Sequence, residues 1–195
     1  IGIIGVLFGG DLSFDLSRTT SERLELRNLE ISEVLLSELK LLEKTIDRPV
    51  EGVVSLSGRA TVDRRRLSDI RFSGTMRLER FQTSLRQPVL DQNEVRFDRV
   101  DADIVLNGKV VDLTGGRAEG PLLSGNFSGQ IRGTIPMSRS EIRFSGDLVP
   151  QPALLESNPA LGDSLSAYFK RNQTDSIPYS VDGTISEPFV WFREP

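Results

Sequence analysis

The sequence predicts a mainly β protein built as one long, strongly twisted and curved antiparallel sheet, a β-groove or partly closed barrel, with two helical segments. Three observations predict it. Apolar residues alternate with charged or small polar ones in segment after segment. A short unit, apolar-Ser-Gly-x-apolar, recurs along the chain. Only two stretches break the alternation.

The first ladder is Ile4, Val6, Phe8, Leu12, Phe14 and Leu16, all on even positions and interrupted by Gly9 and Gly10, which mark a turn or a bend. Leu24 and Leu26 continue the pattern. Over 31–46 the spacing predicts a helix: Leu35, Leu39 and Leu42 recur at helical intervals with Leu36 alongside, Ser32 is placed to cap the start, and Pro49 comes just after the end. Alternation returns at Val50, Val54, Leu56, Ala60 and Val62, then at Ile70, Phe72, Met76 and Leu78. Val95 and Phe97 come next, then Val100, Ala102, Ile104 and Leu106, then Leu123, Phe127, Ile131 and Ile135, and finally Ile142, Phe144 and Leu148. A second helical segment is expected over 153–169, split by Pro159 and Gly162 so that its second piece begins at Ala160 or Gly162. Ile177, Tyr179, Val181 and Ile185 form the last ladder, and 63–69, 114–116 and 171–176 read as turns.

The repeated unit stands at Leu56–Ala60, Phe72–Met76, Leu123–Phe127, Phe127–Ile131 and Phe144–Leu148, with Asp replacing Ser at Val181–Ile185. Its glycines, Gly58, Gly74, Gly125, Gly129, Gly146 and Gly183, share the parity of the apolar residues and leave notches on the greasy face. A missing side chain there lets a strand bend sharply or lets a neighbour approach, so a row of notches predicts a sheet curled around its own apolar side. Val54, Leu56, Ile70, Phe72, Met76, Leu123, Phe127, Ile131, Phe144 and Leu148 are the candidate groove face. Two helices cannot cover that many strands, so the face must close on itself, stack on a partner, or hold acyl chains.

Composition narrows the function. The 195 residues contain no histidine and no cysteine, which removes disulfides, thiolate or imidazole metal sites and His-dependent nucleophilic catalysis. A net charge of −4 offers no polycationic surface for nucleic acid. Asp98, Asp101 and Asp103 contain oxygen ligands suited to calcium, but Asp101 and Asp103 alternate with Val100, Ala102 and Ile104 and so belong to the wet face. Arg64-Arg65-Arg66 reads as a solvated hairpin turn, and no pair of acids is singled out for hydrolysis. No catalytic, cofactor-binding or metal-binding residues are therefore expected, and the protein is read as a non-enzyme. No segment reaches the ~20 apolar residues of a membrane helix. Without an initiator Met the chain is read as one elongated domain over 1–195, a fragment of a longer protein.

The stretch 24–78, LELRNLEISEVLLSELKLLEKTIDRPVEGVVSLSGRATVDRRRLSDIRFSGTMRL, combines a strand, a leucine-rich segment ending near a Pro, and two Ser-Gly strands. With IRFSGDLVPQPALLESNPAL and IPYSVDGTISEPFVWF it resembles the type II secretion system protein N family, itself similar to the AsmA-like proteins of Gram-negative envelopes. The resemblance implies a periplasmic β-rich body, an inner-membrane anchor upstream of Ile1, and a non-catalytic role in protein secretion. Partners would be envelope proteins of the secretion system, docking through strand edges such as 3–8 or the concave face. The alternative is a lipid-binding or lipid-transfer groove of the AsmA-like kind. An interior filled by side chains favours the former, and an open apolar trough the latter.

Overall fold

The structure is a computed structural model that describes residues 2–7, 9–18, 23–39, 44–63, 65 and 69–193. Among the described residues eleven strands form a single open sheet in simple sequence order, each antiparallel to the next. They are β1 (Gly2–Leu7), β2 (Gly10–Arg18), β3 (Arg23–Leu35), β4 (Val50–Asp63), β5 (Arg71–Val89), β6 (Gln92–Asn107), β7 (Val110–Glu119), β8 (Leu123–Arg132), β9 (Glu141–Pro150), β10 (Ile177–Thr184) and β11 (Pro188–Phe192). Between β9 and β10 stand two helices, α1 (Pro152–Ser157) and α2 (Pro159–Asn172). Among the described residues no helix is long and apolar enough to cross a membrane.

The helix expected over 31–46 is corrected. Residues 31–35 belong to β3, where Ser32 opposes Asp11 rather than capping a helix, and Leu36–Glu38 is a single 3₁₀ turn. Residues 40–43 lie outside the described residues, and 44–46 form one helical turn. The cause is a pair of β-bulges. Asn28 and Glu33 have φ of 49° and 59°, and the register against β4 shifts by one residue at each. Every bulge inserts one residue and swaps the parity of the strand beyond it. Inward positions therefore run Leu26, Leu29, Ile31, Val34, a broken spacing that imitates a helix, with Leu29 and Val34 buried.

The same device explains two further differences. The stretch 114–116 is no turn but the middle of β7, where Gly115 (φ 59°) shifts the register against β8. In β5, Arg80 (φ 52°) re-phases the strand, so Leu78 and Phe81 reach one face although they are three residues apart. The parity of β1 also needs correcting. Val6 opposes Asp11 and Ile4 opposes Ser13, on the face opposite Leu12 and Phe14, and both stand exposed at the free sheet edge. The connection through Gly9 pairs odd with even positions, which continuous even numbering across the turn conceals.

The second helical segment does come in two pieces, with the break one residue earlier than expected. Pro159 occupies the first turn of α2, where its missing N–H costs nothing, and the Asn158 side chain accepts a hydrogen bond from the Leu161 N–H at 3.2 Å.

The glycine notches admit neighbouring backbone into the space a Cβ would take. Gly58 and Gly74 oppose each other across β4 and β5, and a Cβ on Gly74 would lie 2.0 Å from the Ser57 carbonyl oxygen. A Cβ on Gly146 would lie 2.0 Å from the Asn126 carbonyl oxygen. The Ser73 side chain, by contrast, is exposed. Gly74→Ala is therefore expected to cost about 1–3 kcal/mol, against less than about 0.5 kcal/mol for Ser73→Ala. Urea unfolding midpoints check this, and equal midpoints would contradict the close approach.

Candidate functional site

Directly opposed residues in an antiparallel pair share a face, so the pairing register traces the concave lining across the sheet. Leu56 opposes Met76, and Met76 opposes Ala102. Phe72 opposes Ala60 and Leu106. Farther along, Ile104 opposes Leu113, Leu113 opposes Gly129, Gly129 opposes Phe144, Phe144 opposes Val181 and Val181 opposes Val190. One apolar surface thus runs from β4 to β11.

Its two ends differ. At one, Leu29, Ala60 and Phe72 form a buried cluster, and Leu12, Phe14, Leu26, Ile31, Leu56, Ile104 and Leu106 pack against it. Side chains fill that end. At the other a cavity of about 460 Å³ opens, with a wall that is almost wholly apolar. Val50 of β4 contributes to it, then Leu78, Phe81 and Leu85 of β5, Val95, Phe97 and Val100 of β6, Ala118 of β7, Phe127 of β8, Phe144 and Leu148 of β9, and Tyr179 and Val181 of β10.

The sheet must curl for so many strands to surround one space. The carboxylate of Glu187, between β10 and β11, lies 3.8 Å from the Arg86 guanidinium of β5. In a flat sheet, strands five places apart are separated by ~24 Å. A second tie runs from the Asn158 amide, at the junction of the helices, to Asp91 at the β5–β6 tip, 2.9 Å apart. Both ties engage the distal part of the β5–β6 hairpin, which extends beyond its pairing with β7. No residue of α1 or α2 enters the cavity wall.

Of the expected groove residues, Phe127, Phe144 and Leu148 line the cavity. Leu56 and Phe72 belong to the filled end. Met76 and Val54, which opposes Leu78, are half-buried on the stretch between. Ile131 opposes Ile142 on the far side of Gly129, and Leu123 is buried opposite Pro150; neither lines the cavity. Ile70 precedes β5 and is 36% exposed, so it falls outside the groove. Phe81, Leu85, Val95 and Phe97 also line the cavity; Val95 and Phe97 stand in the alternating ladder without being among the candidate groove residues, and Phe81 and Leu85 are in neither. Their signal was present: the three-residue steps from Leu78 to Phe81 and from Phe97 to Val100 are bulge-sized phase changes in otherwise alternating strands.

Glycines alternate with rings on this lining. A Cβ on Gly116 would meet the Phe127 ring at 2.6 Å, and one on Gly129 would meet the Phe144 ring at 2.3 Å. Phe127 and Phe144 touch edge to face, with centroids 6.3 Å apart. Tyr179 opposes Gly146, and its hydroxyl donates to the Asn126 carbonyl at 3.4 Å. Burial, helped by the charge of Asp147, pushes the Tyr179 phenol up to about 12.

The convex face is polar. Asp101 accepts from Arg77 Nε at 2.9 Å and also from Arg99, and these guanidiniums, Arg99 foremost, hold its carboxyl below the usual carboxylate range. The open depression beside it, about 850 Å³, has a mixed wall, with Ser55, Thr75, Arg77 and Asp101 next to Leu35 and Val53. Of the arginine triplet, Arg64 and Arg66 lie outside the described residues, and the Arg65 N–H donates to Asp63 at 2.8 Å. No family model, no curated protein and no solved structure matches the chain.

Tyr179 gives a pH test. Its folded-state pKa lies above the ~10 of an exposed tyrosine, so its contribution to stability is complete below pH ~10 and is lost as pH rises towards 12. Urea unfolding across that range is expected to show a steeper loss of stability in the native chain than in Tyr179→Phe, and parallel curves would place the phenol in water.

Proposed function

We propose that this protein is a non-enzymatic module that holds a single acyl chain in the cavity of its concave face. The observation that carries this reading is the apolar cavity of about 460 Å³ at one end of a lining whose other end is filled. Its volume falls in the ordinary range of small-ligand sites. At roughly 30 Å³ for a water-sized group, it corresponds to about fifteen methylene-sized groups, the size of one acyl chain. Its wall includes no aspartate or glutamate among the described residues, and the chain has no histidine or cysteine, so neither paired carboxylates nor a base-activated nucleophile converges there. These features favour the lipid-binding alternative offered by the resemblance to AsmA-like envelope proteins. A periplasmic location, with an inner-membrane anchor in the full-length protein, is part of the same proposal.

A second reading, as an assembly component of a type II secretion apparatus, draws on a different observation. Among the described residues β1 is an edge strand, paired on one side with β2, with Ile4 and Val6 exposed at 87% and 75%. Such an edge can accept a strand from a partner protein of the secretion system. The two readings use separate surfaces.

Binding of a saturated fatty-acid series tests the cavity. Each methylene entering the apolar space contributes ~0.8 kcal/mol, so affinity is expected to rise about fourfold per carbon and to level off at about fifteen carbons. Val181→Trp, which plugs the space, should abolish the dependence. Affinity indifferent to chain length, or untouched by the plug, would contradict the proposal.

A further inference from the structure

Among the described residues one charged side chain belongs to the apolar wall. Arg48, half-buried, lines the cavity beside Ile46 and Val50. Its Nε donates to the Ile46 carbonyl at 3.3 Å and its Nη1 to the Ser84 carbonyl at 3.1 Å. These bonds fix the guanidinium in place through neutral carbonyl acceptors. The neighbouring Arg86 takes the nearby carboxylates instead, with Asp47 at 3.7 Å and Glu187 at 3.8 Å. Among the described residues no carboxylate stands within 4.0 Å of Arg48. Burial and the charge of Arg86 both act against its protonated form, with Asp47 opposing them in part.

A guanidinium has five N–H donors in a planar fork. Two are used on carbonyls, which leaves Nη2 with both of its hydrogens for an acceptor. A positive charge at the wall of an apolar space the size of one chain is complementary to a ligand with an anionic end and an apolar body. We propose that Arg48 anchors the head of the occupant, so that the cavity takes single-chain amphiphiles with a carboxylate or phosphate head, the tail running along Phe81, Phe144 and Val181. This rests on the acyl-chain reading and adds the choice of head group to it.

The test compares four probes of equal tail length by calorimetry at neutral pH: myristic acid, myristyl phosphate, myristyl alcohol and myristyltrimethylammonium. A charge-assisted contact with Arg48 is expected to make both anions bind about tenfold to a hundredfold more tightly than the alcohol, with the cation weakest. Arg48→Met, which keeps an apolar stem without the charge, should bring both anions down to the affinity of the alcohol. Arg48→Lys should retain part of it, and its thermal unfolding controls for damage to the carbonyl contacts. Preference for the acid alone or the phosphate alone, lost in Arg48→Met, identifies which head the site takes. Equal binding of all four probes, or an anion preference that survives Arg48→Met, would overturn the anchor while leaving the acyl-chain cavity in place. Binding of none would overturn both.

Discussion

The absence of side chains on the inner pleat is the constraint on which this fold depends. A sheet curled around its apolar face crowds the inward Cβ positions against the carbonyls of the next strand. At Gly58, Gly74, Gly125, Gly129 and Gly146 an added Cβ would lie between 2.0 and 2.3 Å from such an oxygen, a distance no carbon tolerates. The serines preceding these glycines point to the convex side, and that side has room. Removing Cβ atoms from the inside thus allows the curvature, and the rings of Phe127 and Phe144 lie over the vacated positions at Gly116 and Gly129.

Curvature alone would not keep one face apolar over strands of 10 to 19 residues. Bulges do that. Asn28, Glu33, Arg80 and Gly115 adopt positive φ and rotate the residues beyond them so that the apolar set returns to the concave side. They also decide how much of the structure was legible in the sequence. Alternation between bulges was plain, and with it the fold class, the second helical segment and the inward parity of the glycines. The bulges were not, because Asn, Glu and Arg in left-handed conformations are not marked by residue type as glycine is. β3, with two bulges five positions apart, therefore passed for a helix. The groove was legible where strands are uninterrupted, at Phe127, Phe144 and Leu148, and was missed on the far side of Arg80. The exposed Ile4 and Val6 show the complementary failure, an alternation that is real but faces outwards at a free edge.

The two ends of the lining divide the work. Around Leu29, Ala60 and Phe72 the concavity is filled from the β2–β6 side and holds the fold together. Around Phe81, Phe144 and Val181 it is open, and the overhanging β5–β6 hairpin reaches towards β10 and β11 through Arg86 and Glu187. A surface ion pair of this kind contributes ~1 kcal/mol or less, so it guides the rim without sealing it. An apolar space that stays unfilled forfeits contacts, and a chain that enters it restores them. Arg48 is the polar landmark of that wall, and Tyr179 spans from β10 to β8 across the Gly146 notch.

The claim that one continuous concave surface ends in an open apolar cavity is tested most directly by methyl NMR with a spin-labelled fatty acid. Broadening of Leu85, Leu148 and Val181 is expected, with Leu12 at the filled end and Val105 on the convex face left sharp. Broadening of Val105, or equal broadening at both ends of the lining, would contradict it.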